Sequence, residues 1–251
     1  MALGYATHGS GPHKVIVLHG WFGDETFLRP AYDALDGAAF TYIVPAYRGY
    51  GASKDLRGDY TVEEIAADVI ALADALGLET FSLVGHSMGG KFMQKVAAKA
   101  PARVNRMVGV APVPAAAAPF DDQGWALFSS AAESLDSRRA ILNFSTGSRL
   151  PAAWIDGMAR HSAATSTREA FGAYLLAWAK SDFHEEVTGS RTPTKVVIGE
   201  HDPAIDEATM RATFLQWYKR AELEVIPNSG HYPMNETPLA LGTAMESFLR
   251  G

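Results

Sequence analysis

The sequence has no cysteine among its 251 residues. Disulfides, thiol nucleophiles, thiolate zinc sites and cysteine-ligated iron–sulfur clusters are therefore excluded. That composition fits a reducing compartment, and the cytoplasm is the expected location. No apolar run reaches the roughly 18 residues that a membrane-crossing helix needs. Residues 1–12 lack the charged and apolar regions of a signal peptide, so none is expected. Positive charge is also scarce, with 22 Lys and Arg against 28 Asp and Glu and a net charge of -6. Nucleic acids and anionic membranes call for a basic surface, so neither is an expected partner. The eight histidines form no HExxH or comparable paired spacing, and neither a metal nor a cofactor is expected.

What remains is ordinary globular material, 47% hydrophobic and 20% charged. A chain of this length buries about three quarters of its unfolded surface. Short apolar runs alternate with helical patterns, which predicts an α/β fold with a mostly parallel sheet. Strands are expected at 15–18, 41–44, 81–84, 107–111, 195–198 and 223–226. Their uniformly apolar character suits strands covered on both faces. Thr61 and Glu64 have capping-box spacing ahead of a helix that Gly77 ends. Further helices are expected near 91–100, 207–218 and 238–249.

Between the strand at 107–111 and that at 195–198 the rhythm changes. No strong strand appears, and helical patches fall at 125–135, 137–144, 152–160 and 168–179. The expected organisation is a core in two parts, 1–112 and 190–251, with a helical cap at 113–189. The cap supplies Trp125, Phe128, Phe144, Trp154, Met158, Phe171, Tyr174, Trp178 and Phe183. More than half of these are expected to pack the cap itself or seal it onto the sheet domain, and the rest to line an apolar pocket.

Gly85-His86-Ser87-Met88-Gly89 fits G-x-S-x-G, and it lies between a strand and a helix as that motif requires. Ser87 would sit on a sharp turn where only small neighbours let strand and helix approach. The helix start would aim N–H groups at an anion forming there. A serine hydroxyl needs a base, and the base needs a third group to hold it. Two strand-end loops supply them: Gly199-Glu200-His201-Asp202-Pro203 and Asn228-Ser229-Gly230-His231. Asp202 is preferred over Glu200 and Asp206 because it lies four residues past Ile198. His231 is preferred over His201, which would leave the later loop unexplained. The order Ser87, Asp202, His231 is that of a nucleophile–acid–base set on an α/β sheet.

The chain resembles the α/β-hydrolase superfamily over nearly its whole length. The stretches that carry the resemblance are His19-Gly20-Trp21, Arg48-Gly49-Tyr50-Gly51-Ala52-Ser53, the Ser87 turn, Gly199-Glu200-His201-Asp202 and Gly230-His231. In style it is similar to small esterases, lactonases, cofactor-free perhydrolases and C–C hydrolases. The resemblance assigns the nucleophile to Ser87, the acid to Asp202 and the base to His231. It also implies two oxyanion donors, the backbone N–H of Met88 and that of Trp21, with Phe22 as the rival for the second. One departure is Ala46, where the family often carries an aspartate, and it calls a local hydrogen-bond network into question. Lys91, just after the turn, is expected either at the surface or in the pocket.

The remaining histidines read as structural. His19 is expected to order the oxyanion loop, His86 to point away from the pocket, and His161 to lie at the surface or pack the cap rather than face the substrate. His8 and His13 read as exposed loop residues. The leading expectation is a serine hydrolase that cleaves a carboxylic ester or lactone of a small, apolar molecule. A C–C bond hydrolase or perhydrolase with the same triad, and a hydrolase-like binding protein without turnover, are the alternatives. The partner is a small-molecule substrate, and either a monomer or a homodimer is compatible.

Overall fold

The structure is a computed structural model, which describes residues 3–251. Seven strands form one sheet in the order β1-β3-β2-β4-β5-β6-β7. They are β1 (Tyr5–His8), β2 (His13–Leu18), β3 (Phe40–Pro45), β4 (Phe81–His86), β5 (Val104–Val110), β6 (Thr194–Gly199) and β7 (Ala221–Ile226). All pairings are parallel except β1 with β3. Residues β3, β4 and β6 contribute are buried throughout, which matches their uniformly apolar runs. The edge strand β7 alternates instead. His8 and His13 lie in β1 and β2 rather than in loops.

Helix α1 (Val62–Ala75) begins where its sequence predicts: Thr61 caps it by accepting from Glu64 N–H at 3.1 Å. The reciprocal half of the capping box is displaced by one residue. The Glu64 carboxylate accepts from Tyr60 N–H instead of Thr61 N–H. α1 packs on α2 (Met88–Lys99), and α2 packs on β2, β4 and β5. Five helices join β5 to β6: α3 (Asp122–Ser130), α4 (Leu135–Ser145), α5 (Ala152–Thr165), α6 (Arg168–Lys180) and the short α7 (His184–Val187). The helix expected at 207–218 is broken at Thr213 into α8 (Glu207–Ala212) and α9 (Phe214–Trp217). α10 (Pro233–Glu236) was not legible as a separate element, and α11 (Pro238–Arg250) closes the chain against β5, β6 and β7. No helix among the described residues is long and apolar enough to cross a membrane.

The topology fixes where chemistry can occur. From β2 the chain moves to β3 on one side, then returns through α1 to β4 on the other. Such a reversal opens a crevice at the carboxyl ends of the strands. The His19 loop follows β2 and Ser87 follows β4, so parallel neighbours deliver both to one rim. Asp202 follows β6 and His231 follows β7, again a neighbouring pair.

The rim depends on close backbone approach at Gly89. A Cβ there would lie 2.2 Å from the Leu18 carbonyl oxygen, a backbone atom that has no slack. Gly157 lies in α5 with open space around its Cα. Urea denaturation should therefore show Gly89→Ala losing about 2–3 kcal/mol or more. Gly157→Ala should be neutral or gain up to about 1 kcal/mol, as expected in a helix interior. Equal effects of the two substitutions would contradict this account of the rim.

Candidate active site

Ser87 has φ 53° and ψ -119°, outside the regions that an L-residue prefers. Three backbone hydrogen bonds hold it there. Its N–H donates to Val110 O at 3.0 Å, and its carbonyl accepts from Gly90 N–H at 2.8 Å and Val113 N–H at 2.9 Å. A Cβ on Gly85 would lie 2.5 Å from Gly89 O, so the turn closes only with glycine on its strand side. The hydroxyl is left projecting from the start of α2.

His231 Nε2 lies 2.9 Å from Ser87 Oγ. Its Nδ1 lies 2.5 Å from Asp202 Oδ2, and the Asp202 side chain is fully buried. A carboxylate only accepts, so Nδ1–H donates to Asp202, which leaves Nε2 facing the serine hydroxyl. The other carboxylate oxygen, Oδ1, accepts from Ala204 N–H at 2.9 Å and Ile205 N–H at 3.1 Å. Asp202 is thus fixed at both ends. The rivals sit elsewhere: Asp206 caps α8 through Thr209 N–H, and Glu200 accepts from Asn228 N–H. His201 is partly exposed, with Glu200 as its nearest carboxylate at 3.7 Å.

Gly20, Trp21 and Phe22 face the same cavity as Ser87. The backbone N–H groups of Met88, Trp21 and Phe22 have no protein partner among the described residues. The Trp21 loop is tied down on every other side. Trp21 O accepts from Tyr50 OH at 3.1 Å, His19 O accepts from Tyr47 OH at 3.0 Å, and the Trp21 indole N–H donates to Phe171 O at 2.8 Å. The Trp21 and Phe171 rings stack at 4.1 Å. Behind them the Arg138 guanidinium lies 3.6 Å from the Phe171 centroid.

Two more histidines belong to this cluster, and both are neutral. Burial pushes His19 down to about 4, against a hydrogen bond from its Nδ1–H to Gly20 O. His86 falls to about 3 through burial and the nearby His231. The side chain of His86 does not point away from the pocket, as the sequence suggested. It lines the cavity, and its Nε2–H donates to His231 O at 2.8 Å. Lys91 reaches neither the surface nor the pocket. Its ammonium donates to Ala116 O, Trp178 O and Ser181 O at 2.9, 2.8 and 2.6 Å, a set of acceptors that uses all three protons. Burial pushes it down to about 8. The question raised by Ala46 also has its answer: Arg48 pairs with both oxygens of Asp68, at 2.7 and 2.8 Å.

The cavity measures about 920 Å³, at the upper end for a small-molecule site. Its walls are mostly apolar. Phe128, Phe144, Met158 and Trp178 contribute from the helical segment, and Phe27, Ile205 and Met234 from the remainder. The other five of the nine bulky residues singled out in that segment pack elsewhere. Phe171 backs Trp21, and Trp154 lies against Tyr232, for example. Among the described residues no cluster of three or more His, Asp or Glu is arranged to hold a metal ion.

A family model described as the alpha/beta hydrolase fold matches residues 14–238. The 3-oxoadipate enol-lactonase 2 of Acinetobacter baylyi is 26% identical over the whole chain and 94% of its own length. A 2-heptyl-3-hydroxy-4-quinolone dioxygenase of Rhodococcus erythropolis is 37% identical, but only over 34% of this chain and 31% of its own. Among solved structures, the enol-lactonase of Burkholderia xenovorans superposes with a TM-score of 0.85 at 23% identity, covering 99% of this chain and 96% of its own.

The loop after β2 has one further tie, and it responds to pH. His161 Nε2, on α5, lies 2.8 Å from the Asp24 carboxylate. Burial pushes the Asp24 carboxyl up, but hydrogen bonds from His161 and Thr26 together hold it well below the usual carboxylate range. The Asp24 hydrogen bond raises His161 against the opposing effect of burial. The raised group stabilises fully below 6.5, its ordinary value, and loses that contribution as pH climbs through its folded value. The depressed group stabilises fully above 3.8 and loses its contribution as pH falls through its folded value. The pair is complete between these limits. Thermal melts of wild type and His161→Leu should differ most in that window, and the gap should narrow in alkali. A gap that stays constant with pH would refute the ionic part of this contact.

Proposed function

The chain belongs to the alpha/beta hydrolase fold family, and from that premise we propose that it is a serine hydrolase acting on a carboxylic ester or lactone. The observation that carries this reading is the unbroken hydrogen-bond path from Ser87 through His231 to Asp202, at 2.9 and 2.5 Å. In this mechanism Ser87 Oγ attacks the substrate carbonyl carbon while His231 Nε2 takes its proton. Asp202 keeps the imidazole in the competent tautomer and stabilises the imidazolium. The oxyanion is held by the Met88 and Trp21 N–H groups, at the positive end of α2. Each such donor contributes roughly 3 kcal/mol to the transition state. His231 then returns the proton to the departing alkoxide, and a water molecule deacylates the enzyme by the same path.

The mostly apolar 920 Å³ cavity supports an apolar acyl or ring group larger than acetyl. Full-length similarity to an enol-lactonase supports lactones within the substrate class. A fluorophosphonate probe should label Ser87, and Ser87→Ala should abolish labelling while cutting ester turnover by roughly a thousandfold or more. Esters from acetyl to dodecanoyl, run beside a lactone panel, should give rates that rise with acyl size and then fall. A folded Ser87→Ala variant with unchanged turnover would overturn the proposal. Activity confined to C–C diketones would keep the triad but move the scissile bond.

A further inference from the structure

The loop that carries His231 is fixed by a carboxylate to which the reaction gives no role. Three consecutive buried residues, Gly230, His231 and Tyr232, carry backbone polar groups that need partners beyond the end of β7. The Gly230 N–H donates to Glu236 Oε2 at 2.8 Å, and the Tyr232 N–H donates to Glu236 Oε1 at 3.1 Å. One carboxylate therefore grips the chain on both sides of the imidazole. The two groups of His231 itself are held from elsewhere, its N–H by Ser145 O at 3.2 Å and its carbonyl by His86 Nε2–H.

The Glu236 side chain is 2% exposed, and a buried carboxylate requires compensation. Arg149 provides it from the turn between α4 and α5. Its Nη1 donates to Glu236 Oε2 at 2.8 Å, and its Nη2 donates to Asn228 O at 2.9 Å. The guanidinium thus spans the same loop that Glu236 grips. The same turn presses on the loop directly, since a Cβ on Gly230 would lie 3.0 Å from Thr146 Cα. Neither Arg149 nor Glu236 lines the cavity, so neither is a candidate to touch substrate.

We propose that Glu236 is a positioning residue that holds His231 in reach of Ser87, and that Arg149 makes this position depend on the helical segment. The inference rests on the reading of His231 as the general base. Removing the carboxylate frees two backbone N–H groups and lets the imidazole drift. Misplacement of about 1 Å costs roughly a hundredfold in rate. The loss belongs in kcat, because the cavity wall is untouched.

The experiment compares Glu236→Ala, Glu236→Gln, Arg149→Met and the double variant Glu236→Gln/Arg149→Met. Glu236→Ala should lower kcat roughly a hundredfold with KM within about threefold of wild type. The low-field proton resonance of the His231–Asp202 hydrogen bond should broaden or move with it. Glu236→Gln keeps an acceptor for one N–H only and should fall between Ala and wild type. Arg149→Met leaves a buried charge without a partner, so the double variant should be more active than Arg149→Met alone. If Glu236→Ala does not fold, the Gln and Met variants decide the matter. An unchanged kcat and resonance, a loss seen only in KM, or a double variant no better than Arg149→Met would each overturn the inference. Should wild type fail to label at Ser87, the hydrolase reading falls. The resonance still reports, by itself, whether Glu236 positions the ring.

Discussion

A serine in a backbone conformation that L-residues avoid costs about 1–3 kcal/mol, and it persists only where the surroundings over-determine it. At Ser87 they do so from three directions. Val110 O and Val113 N–H hold its peptide groups from the β5 side, Gly90 N–H closes the first turn of α2, and Gly89 sits almost against Leu18 O. The strain is local, but its consequence is global. It turns one side chain out of a fully buried strand and sets it at the start of α2. Because β2 and β4 are parallel neighbours, the same closure brings the Trp21 loop beside that hydroxyl. The geometry of the rim follows from one tight turn between a strand and a helix.

Histidines 19, 86 and 231 lie close together, yet their surroundings divide their work. His19 and His86 are buried among aromatic rings, and each donates one N–H to a backbone carbonyl. Burial without a carboxylate in contact keeps both neutral. They act as rigid spacers, His19 within the Trp21 loop and His86 beneath the His231 carbonyl. Only His231 meets a carboxylate at one nitrogen and a hydroxyl at the other. What sets one ring apart from the other two is its partners rather than its exposure, since all three are buried.

The α/β architecture was legible in the sequence because its signals are local. Apolar strands, the Thr61 cap and the glycines around Ser87 each announce themselves within a few residues. The three loops that meet at the rim were legible too, through strand-end position and chain order. The structure brings Ser87, His231 and Asp202 into one hydrogen-bonded path, while Glu200, Asp206 and His201 remain outside it. What the sequence did not disclose are contacts between residues far apart along the chain. Glu236 lies only five residues past His231, but its bonds to Gly230 and Tyr232 need the irregular turn of α10, for which no periodic signal exists. Arg149 reaches Glu236 across 87 positions, and Lys91 finds acceptors 25 to 90 positions away. A lone Lys after a glycine turn carries no mark of burial. Its carbonyl partners have no side-chain signature at all.

These long-range contacts share a pattern. The helical segment meets the remainder of the chain through apolar packing, but polar ties secure it beside each part of the rim. Lys91 binds both flanks of the segment from the helix that starts at Ser87. His161 holds Asp24 in the loop that contains Trp21. Arg149 and Ser145 hold the loop of His231. Apolar contacts are nondirectional and tolerate sliding, whereas a buried charge separated from its partners is costly. The segment therefore cannot move as a rigid plate without breaking a directional bond next to Ser87, the Trp21 loop or His231. Residues that bound the cavity and residues that hold the rim lie on the same short helices and the turn between them, so the shape of the cavity and the arrangement of Ser87, His231 and the Trp21 loop are set together.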